Sequence, residues 1–325
     1  MSGKKYVVGV DLGGTWTRVV LSDCRGNLLE KVNEKVDKAS SVAISRQLVR
    51  LARFLLKKHS VKGAALLGVG IASAGPLDMK KGVLINPTNL PFDLIPLVEP
   101  VRKELGVPTC LINDCVGAAL GEANFGAARG IENFVYVTIS TGIGGGAIVN
   151  GTLLLGKDGN GHEIGHLVID CEGRLTCGCG KRGHWEAYCS GSNIPNYVRM
   201  RFDEMDTKIV RKSALHKKFQ GDFSQLCAAD LFNTAKGGDR LALGLVGEIG
   251  IMNAMGFANV TNVYDPSLIT VGGTVTLRNM DAVLLPIGKN IGDYTVNRIP
   301  EIRVTALGED VGVYGAVAGA LKYLS

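Results

Sequence analysis

Residues 6–31, YVVGVDLGGTWTRVVLSDCRGNLLEK, and residues 133–157, NFVYVTISTGIGGGAIVNGTLLLGK, follow one plan. Each opens on an apolar, β-branched run and then a turn almost free of side chains, Gly13-Gly14-Thr15 in the first and Ser140-Thr141-Gly142 in the second. A second apolar run follows, then a turn (Cys24-Arg25-Gly26-Asn27, and Asn150-Gly151) and a third run. That is the signature of consecutive β-hairpins. Helical spacing comes after each unit, at residues 41–59 and again at 240–264, where apolar residues recur every three or four positions. A further strand, PSLITVGGTVT, runs into the pair Gly272-Gly273, and DVGVYGAVAGALKYL closes the chain as a helix of small residues packed near a sheet. Strands alternating with helices predict an α/β fold. The duplicated start predicts two similar domains facing each other across a central cleft, and a length of 325 residues suits two domains better than one.

Composition narrows the class. With 46% hydrophobic residues, 20% charged residues and 44 glycines, the chain is globular, neither disordered nor fibrous. Its N-terminal stretch, MSGKKYVVGVDLGG, has no signal-peptide pattern, and no segment reads as a membrane span of about 20 apolar residues. We therefore expect a cytoplasmic protein with no membrane partner. The net charge of +6 is modest, and its local excess in residues 199–218 is interleaved with acids and poor in aromatics, so we expect a solvated helical surface and no nucleic-acid partner.

Glycine turns on two walls of a cleft have a chemical use. Without Cβ atoms, backbone N–H groups can close on phosphate oxygens from both sides, which points to a nucleotide. The plain alternative is that these glycines only make tight hairpins. There is no G-x-x-x-x-G-K-[ST] loop, and the turns lead into strands where a dinucleotide fold would open a helix. In GVPTCLINDCVGAALGEANFG, residues 106–126, a strand delivers Asn113-Asp114 to the mouth of a helix. Asp114 is there either a helix cap or a general base aimed into the cleft.

Residues 161–189, GHEIGHLVIDCEGRLTCGCGKRGHWEAYC, hold three of the five histidines and four of the eight cysteines. In a reducing compartment such a cluster is better suited to a metal than to disulfides.

Five of these segments together resemble the ROK family of sugar kinases and sugar-responsive repressors, within the actin-like ATPase superfamily. GVDLGGTWTR (9–18) is similar to its first phosphate motif and STGIGGG (140–146) to its second. IND (112–114) is similar to the segment bearing the catalytic aspartate, and LITVGG (268–273) to the adenosine-side motif. HEIGH (162–166) with CGCGKRGHWE (177–186) is similar to the family signature, C-x-C-G-x-x-G-C-x-E, except that His184 stands where the last cysteine is usual. A second departure is Asn113-Asp114-Cys115-Val116 where the family has N-D-x-N.

The resemblance implies two actin-like (ribonuclease H-like) domains, 1–117 completed by the closing helix 308–325, and 118–307 carrying a zinc loop. It implies an ATP-dependent hexose kinase acting on the 6-hydroxyl of glucose or a related hexose, with N-acetylmannosamine as the alternative substrate. Asp114 would be the base. Gly75, Asn89, Asn113, Asp114, Glu163, His166 and Glu186 would contact the sugar. Asp11, Gly13, Gly14, Thr15, Thr17, Thr141, Gly142, Gly272 and Gly273 would surround Mg2+ and ATP, with Asp11 near the metal. His166, Cys177, Cys179 and His184 would hold a structural zinc; His162, Cys171 and Cys189 are further donors nearby. A homodimer or dimer of dimers is implied as well. Repressors of the family carry a DNA-binding domain ahead of the first phosphate motif, and only ten residues precede Asp11, so we expect no such domain.

Overall fold

The computed structural model describes residues 4–324 apart from 88 and 158. Two five-stranded sheets carry it, and their topologies match strand for strand. In the first the spatial order is Leu28–Lys35, Trp16–Asp23, Tyr6–Leu12, Leu66–Ser73, Thr109–Asn113. In the second it is Thr152–Leu153, Ile143–Val149, Phe134–Ile139, Leu268–Gly272, Glu301–Val304. Each begins as an antiparallel meander and ends in two parallel strands. The inner parallel strands are buried on both faces, as Leu268–Gly272 is throughout.

Local signals set the elements. Asn150 (φ 50°) and Gly151 (φ 70°) adopt the left-handed pair that a two-residue hairpin turn requires. Helix Ser41–Lys58 begins where the Ser40 side chain accepts from Ala43 N, and helix Arg240–Tyr264 where Asp239 accepts from Ala242 N. The helix Arg240–Tyr264 corrects one expectation. By length and composition it is apolar enough to cross a membrane. Its Leu245, Ile249, Ala254, Phe257 and Val260 are instead packed into the core of the second sheet's half. The basic segment is helical but broken into Ile194–Glu204, Thr207–Lys212 and Ala214–Phe219, because Asp206 and Ser213 each cap a new helix. Lys208, Arg211, Lys212 and Lys217 face solvent while Phe202, Val210 and Leu215 are buried.

The two halves exchange helices. Helix Asp114–Phe125 leaves the last strand of the first sheet and packs on Ile143–Val149 of the second. Helix Val311–Leu324 leaves the last strand of the second sheet and packs on Tyr6–Leu12 and Leu66–Ser73 of the first. The two helices cross backbone to backbone: a Cβ on Gly315 would lie 2.3 Å from the Gly117 carbonyl carbon. The boundary expected at 117/118 therefore falls inside an unbroken helix.

Candidate functional site

Asn113 ends its strand extended (φ −63°, ψ 143°), and its Oδ1 accepts from Cys115 N at 2.9 Å and from Val116 N at 3.2 Å. Asn113 is thus the helix cap. Its Nδ2 is left as the group it can offer a ligand. Asp114, one residue on, is relieved of capping the helix and rests its Oδ1 2.8 Å from Cys115 N. Burial pushes the Asp114 carboxyl up to about 6, and the charges of Asp11 and Glu163 add to the rise. Asp114 therefore feels the charges of two other carboxylates.

Asp11 pairs in hairpin register with Arg18, whose Nη1 lies 2.8 Å from Asp11 Oδ2. Burial raises the Asp11 pKa and Arg18 opposes the rise. Residue type alone does not mark Arg18 as this partner. Counting outward from the glycine turn would have found it, since 12 faces 17 and 11 faces 18. Thr17 is fully buried and its hydroxyl has no partner among the described residues, whereas Thr15 is exposed.

Gly13, Gly14, Gly75 and Asn89 line one small pocket together with Leu12 and Ser73. Gly14 needs to be glycine because a Cβ there would stand 2.4 Å from Asn89 Cβ. The first glycine turn and two of the expected sugar contacts thus share a wall. On the other wall, Ser140 Oγ meets Thr274 Oγ1 at 3.1 Å, which draws the second turn against the helix that follows Gly272-Gly273. Ser192 Oγ donates to Thr141 O at 2.6 Å and Gly191 N to Ser140 O at 2.7 Å, bracing that turn from behind.

The zinc expectation meets a quantitative geometric test. One donor atom from each of His166, Cys177, Cys179 and His184 lies within 4.8 Å of the other three. A tetrahedral ion with Zn–N of about 2.05 Å and Zn–S of about 2.3 Å spaces two nitrogens about 3.3 Å apart and a nitrogen and a sulfur about 3.6 Å apart. Here His166 Nδ1 and His184 Nδ1 are 3.2 Å apart, Cys177 Sγ is 3.7 Å from His166 Nδ1, and Cys179 Sγ is 3.4 Å from His184 Nδ1. These residues fit the ion in type, number and spacing. Burial pushes the Cys177 thiol up to about 12, and a metal's charge is what would draw that proton off. The other nearby donors point elsewhere: Cys171 is exposed, Cys189 is buried against Ile249 O, and His162 is buried with Nε2 unpartnered among the described residues. His166 turns its Nε2 toward Glu163 Oε2 at 3.7 Å. Glu186 accepts from Ile143 N at 2.8 Å and from Cys177 Sγ at 3.3 Å.

Residues 7–322 match the ROK family. The chain belongs to the ROK family. A glucokinase from Pyrobaculum calidifontis is 37% identical, over 98% of this chain and 95% of its own length. The crystal structure of a ROK hexokinase from Thermus thermophilus is similar at 31% identity and a TM-score of 0.77, covering 97% of both chains. That of a ROK glucokinase from Streptomyces griseus in complex with glucose and AMPPNP is similar at 27% identity and a TM-score of 0.75, covering 96% of this chain and 98% of that one. Matched strand order in the two sheets is the duplicated architecture expected of this family's kinases.

Proposed function

We propose that the protein is an ATP-dependent hexose kinase that phosphorylates the 6-hydroxyl of glucose. The observation that carries this reading is the place of Asp114 in a ROK-family chain: Asn113 caps the helix and leaves Asp114 free at the strand end, where burial and the charges of Asp11 and Glu163 raise its pKa to about 6. A base must be ionised at working pH yet still draw a hydroxyl proton, and a pKa near 6 meets both needs. Asp114 accepts the proton of the 6-hydroxyl as that oxygen bonds to the γ-phosphorus of ATP; the bond from γ-phosphorus to the bridging oxygen breaks and ADP leaves.

Phosphoryl transfer depends mainly on positioning and on neutralising charge. Three carboxylates alone would repel a triphosphate, so the site calls for a cation. Mg2+ bound with ATP would supply that neutralisation, with Asp11 beside it. The backbone of Gly13-Gly14-Thr15 and of Thr141-Gly142 closes on the phosphates, and Gly272-Gly273 lies on the adenosine side. Gly75, Asn89, Asn113, Glu163, His166 and Glu186 hold the sugar, carboxylates accepting from adjacent hydroxyls where the Asn113 amide donates. Zinc on His166, Cys177, Cys179 and His184 would fix the loop that carries Glu163 and Glu186. We place the N-terminal unit at 1–117 with 308–325 and the second at 118–307, joined by the helix Asp114–Phe125.

Turnover of a sugar panel with Mg2+ and ATP tests the reading. Glucose is expected to be a substrate; a preference of tenfold or more for N-acetylmannosamine would keep the kinase and replace its sugar.

A further inference from the structure

Glu186 touches two sites at once. Its Oε2 accepts from Ile143 N, the first amide after the second glycine turn, at 2.8 Å, while its Oε1 faces Cys177 Sγ at 3.3 Å on the side of the metal cluster. Gly142 makes room for it: a Cβ there would stand 2.6 Å from Glu186 Oε2. The chain that leaves Glu186 also returns to the same turn. Helix Glu186–Cys189 ends at Ser190, and the next two residues donate to the carbonyls of Ser140 and Thr141. One short segment therefore grips residues 140–143 by a side chain at one end and by backbone and hydroxyl donors at the other.

From this we infer that Glu186 is the link through which an occupied sugar site is felt at the nucleotide-side turn. The inference rests on the proposed kinase function and adds to it a route of coupling between the two substrates. With Cys177 bound to a metal as a thiolate, its S–H no longer donates to Oε1, and a carboxylate then held only by Ile143 N through Oε2 can pivot. When sugar hydroxyls engage Oε1, the group is pinned at both oxygens, the turn Ser140–Gly142 is fixed in one shape, and the phosphates meet a preformed backbone. By linkage the effect is reciprocal: the nucleotide raises sugar affinity by the same factor. Glu186 is on this account a positioning residue for the nucleotide as well as a sugar contact. Glutamine should preserve part of the link, because its amide oxygen can still accept from Ile143 N. Alanine should remove it.

The test is calorimetric and independent of turnover. The β,γ-imido analogue of ATP, with Mg2+, is titrated into the full-length protein with and without saturating glucose, for wild type, Glu186→Gln, Glu186→Ala and Gly142→Ala. Zinc content and far-UV circular dichroism are checked for each. Wild type should bind the analogue at least about fivefold more tightly with glucose present. That ratio should shrink toward one in Glu186→Ala and persist in part in Glu186→Gln. Gly142→Ala keeps Glu186 but forces a methyl against Oε2, and should also lose the ratio, which guards against a misfolded loop in the Glu186→Ala protein. A ratio near one in wild type overturns the inference and leaves the kinase reading standing. So does an analogue affinity weakened equally with and without glucose in the variants, which is what a merely structural role predicts. Failure of wild type to bind either ligand overturns both.

Discussion

Asp114 and Asn113 illustrate how far residue types can be read. Asparagine and aspartate are equally good helix caps, so the sequence leaves the cap and the base interchangeable. The backbone decides: extended φ and ψ end at Asn113, which gives Asn113 the cap and Asp114 the cleft. Replacing Asp114 by asparagine, nearly the same shape, should leave glucose binding in place and lower kcat by at least about 10²-fold, measured in a coupled ADP assay. The pH profile follows from the same carboxyl. With its pKa raised to about 6, activity should climb as pH rises toward 6 and level off above it. Stability moves the other way. A carboxyl whose folded pKa lies above its unfolded value of 3.8 costs stability once it ionises, a cost absent below pH 3.8 and complete above about 6. Asp114→Asn should therefore match or exceed the wild-type Tm at pH 7.5, with the gain vanishing near pH 4; a variant that melts well below wild type at pH 7.5 contradicts the environment described for this carboxyl.

At the scale of elements, the two hairpin units are readable because their strands, the two-residue Thr152–Leu153 apart, are long, β-branched and punctuated by glycine turns. What could not be read was short or sided. The sheet formed by Leu77–Asp78, Val83–Ile85 and Leu94–Pro96 has strands of two or three residues, too few to show a period, and Glu301–Val304 is an edge strand of mixed exposure. The metal loop was legible as chemistry, yet seven donors lie in it and spacing alone does not choose among them. Folding is what gathers four of them: Cys177 N bonds to Lys181 O, Gly180 and Gly183 take positive φ, and a bridge between Val168 and His184 brings His184 back to His166. We expect about one zinc per chain in purified protein, and His184→Ala to lose both the metal and most of the sugar affinity, as read by atomic emission and by glucose titration. A fully active wild type containing no metal would show that the loop stands unaided. The crossing of the two exchanged helices makes a separate prediction. Gly315→Ala drives a methyl into the Gly117 backbone, where no side chain can move aside, and should cost at least about 1–3 kcal/mol in urea unfolding.

Across the whole molecule, two copies of one sheet topology hold a cleft whose first wall carries Gly13, Gly14, Gly75 and Asn89 and whose second carries the turn at 140–142, Glu163 and Glu186. The architecture was legible because it is written twice, and the cleft because glycines recur at matching places in both copies. Arg18 and the dual contacts of Glu186 were not, since they depend on register and on the meeting of distant segments. Sugar discrimination belongs to this scale, because the proposed contacts would hold the 6-hydroxyl and the 1- and 2-hydroxyls from different segments. Glu163→Ala should raise KM for glucose far more than for 2-deoxyglucose, narrowing a gap that wild type shows in favour of glucose, since a site built to pair a hydroxyl penalises its absence. The most direct measurement of the central claim is to incubate the protein with Mg2+, ATP and glucose and identify the products by phosphorus NMR, with Asp114→Asn run alongside. The account predicts glucose 6-phosphate and ADP in equal amounts, formed at least about 10²-fold more slowly by the variant; phosphate on another hydroxyl, no sugar phosphate at all, or an unimpaired variant would contradict it.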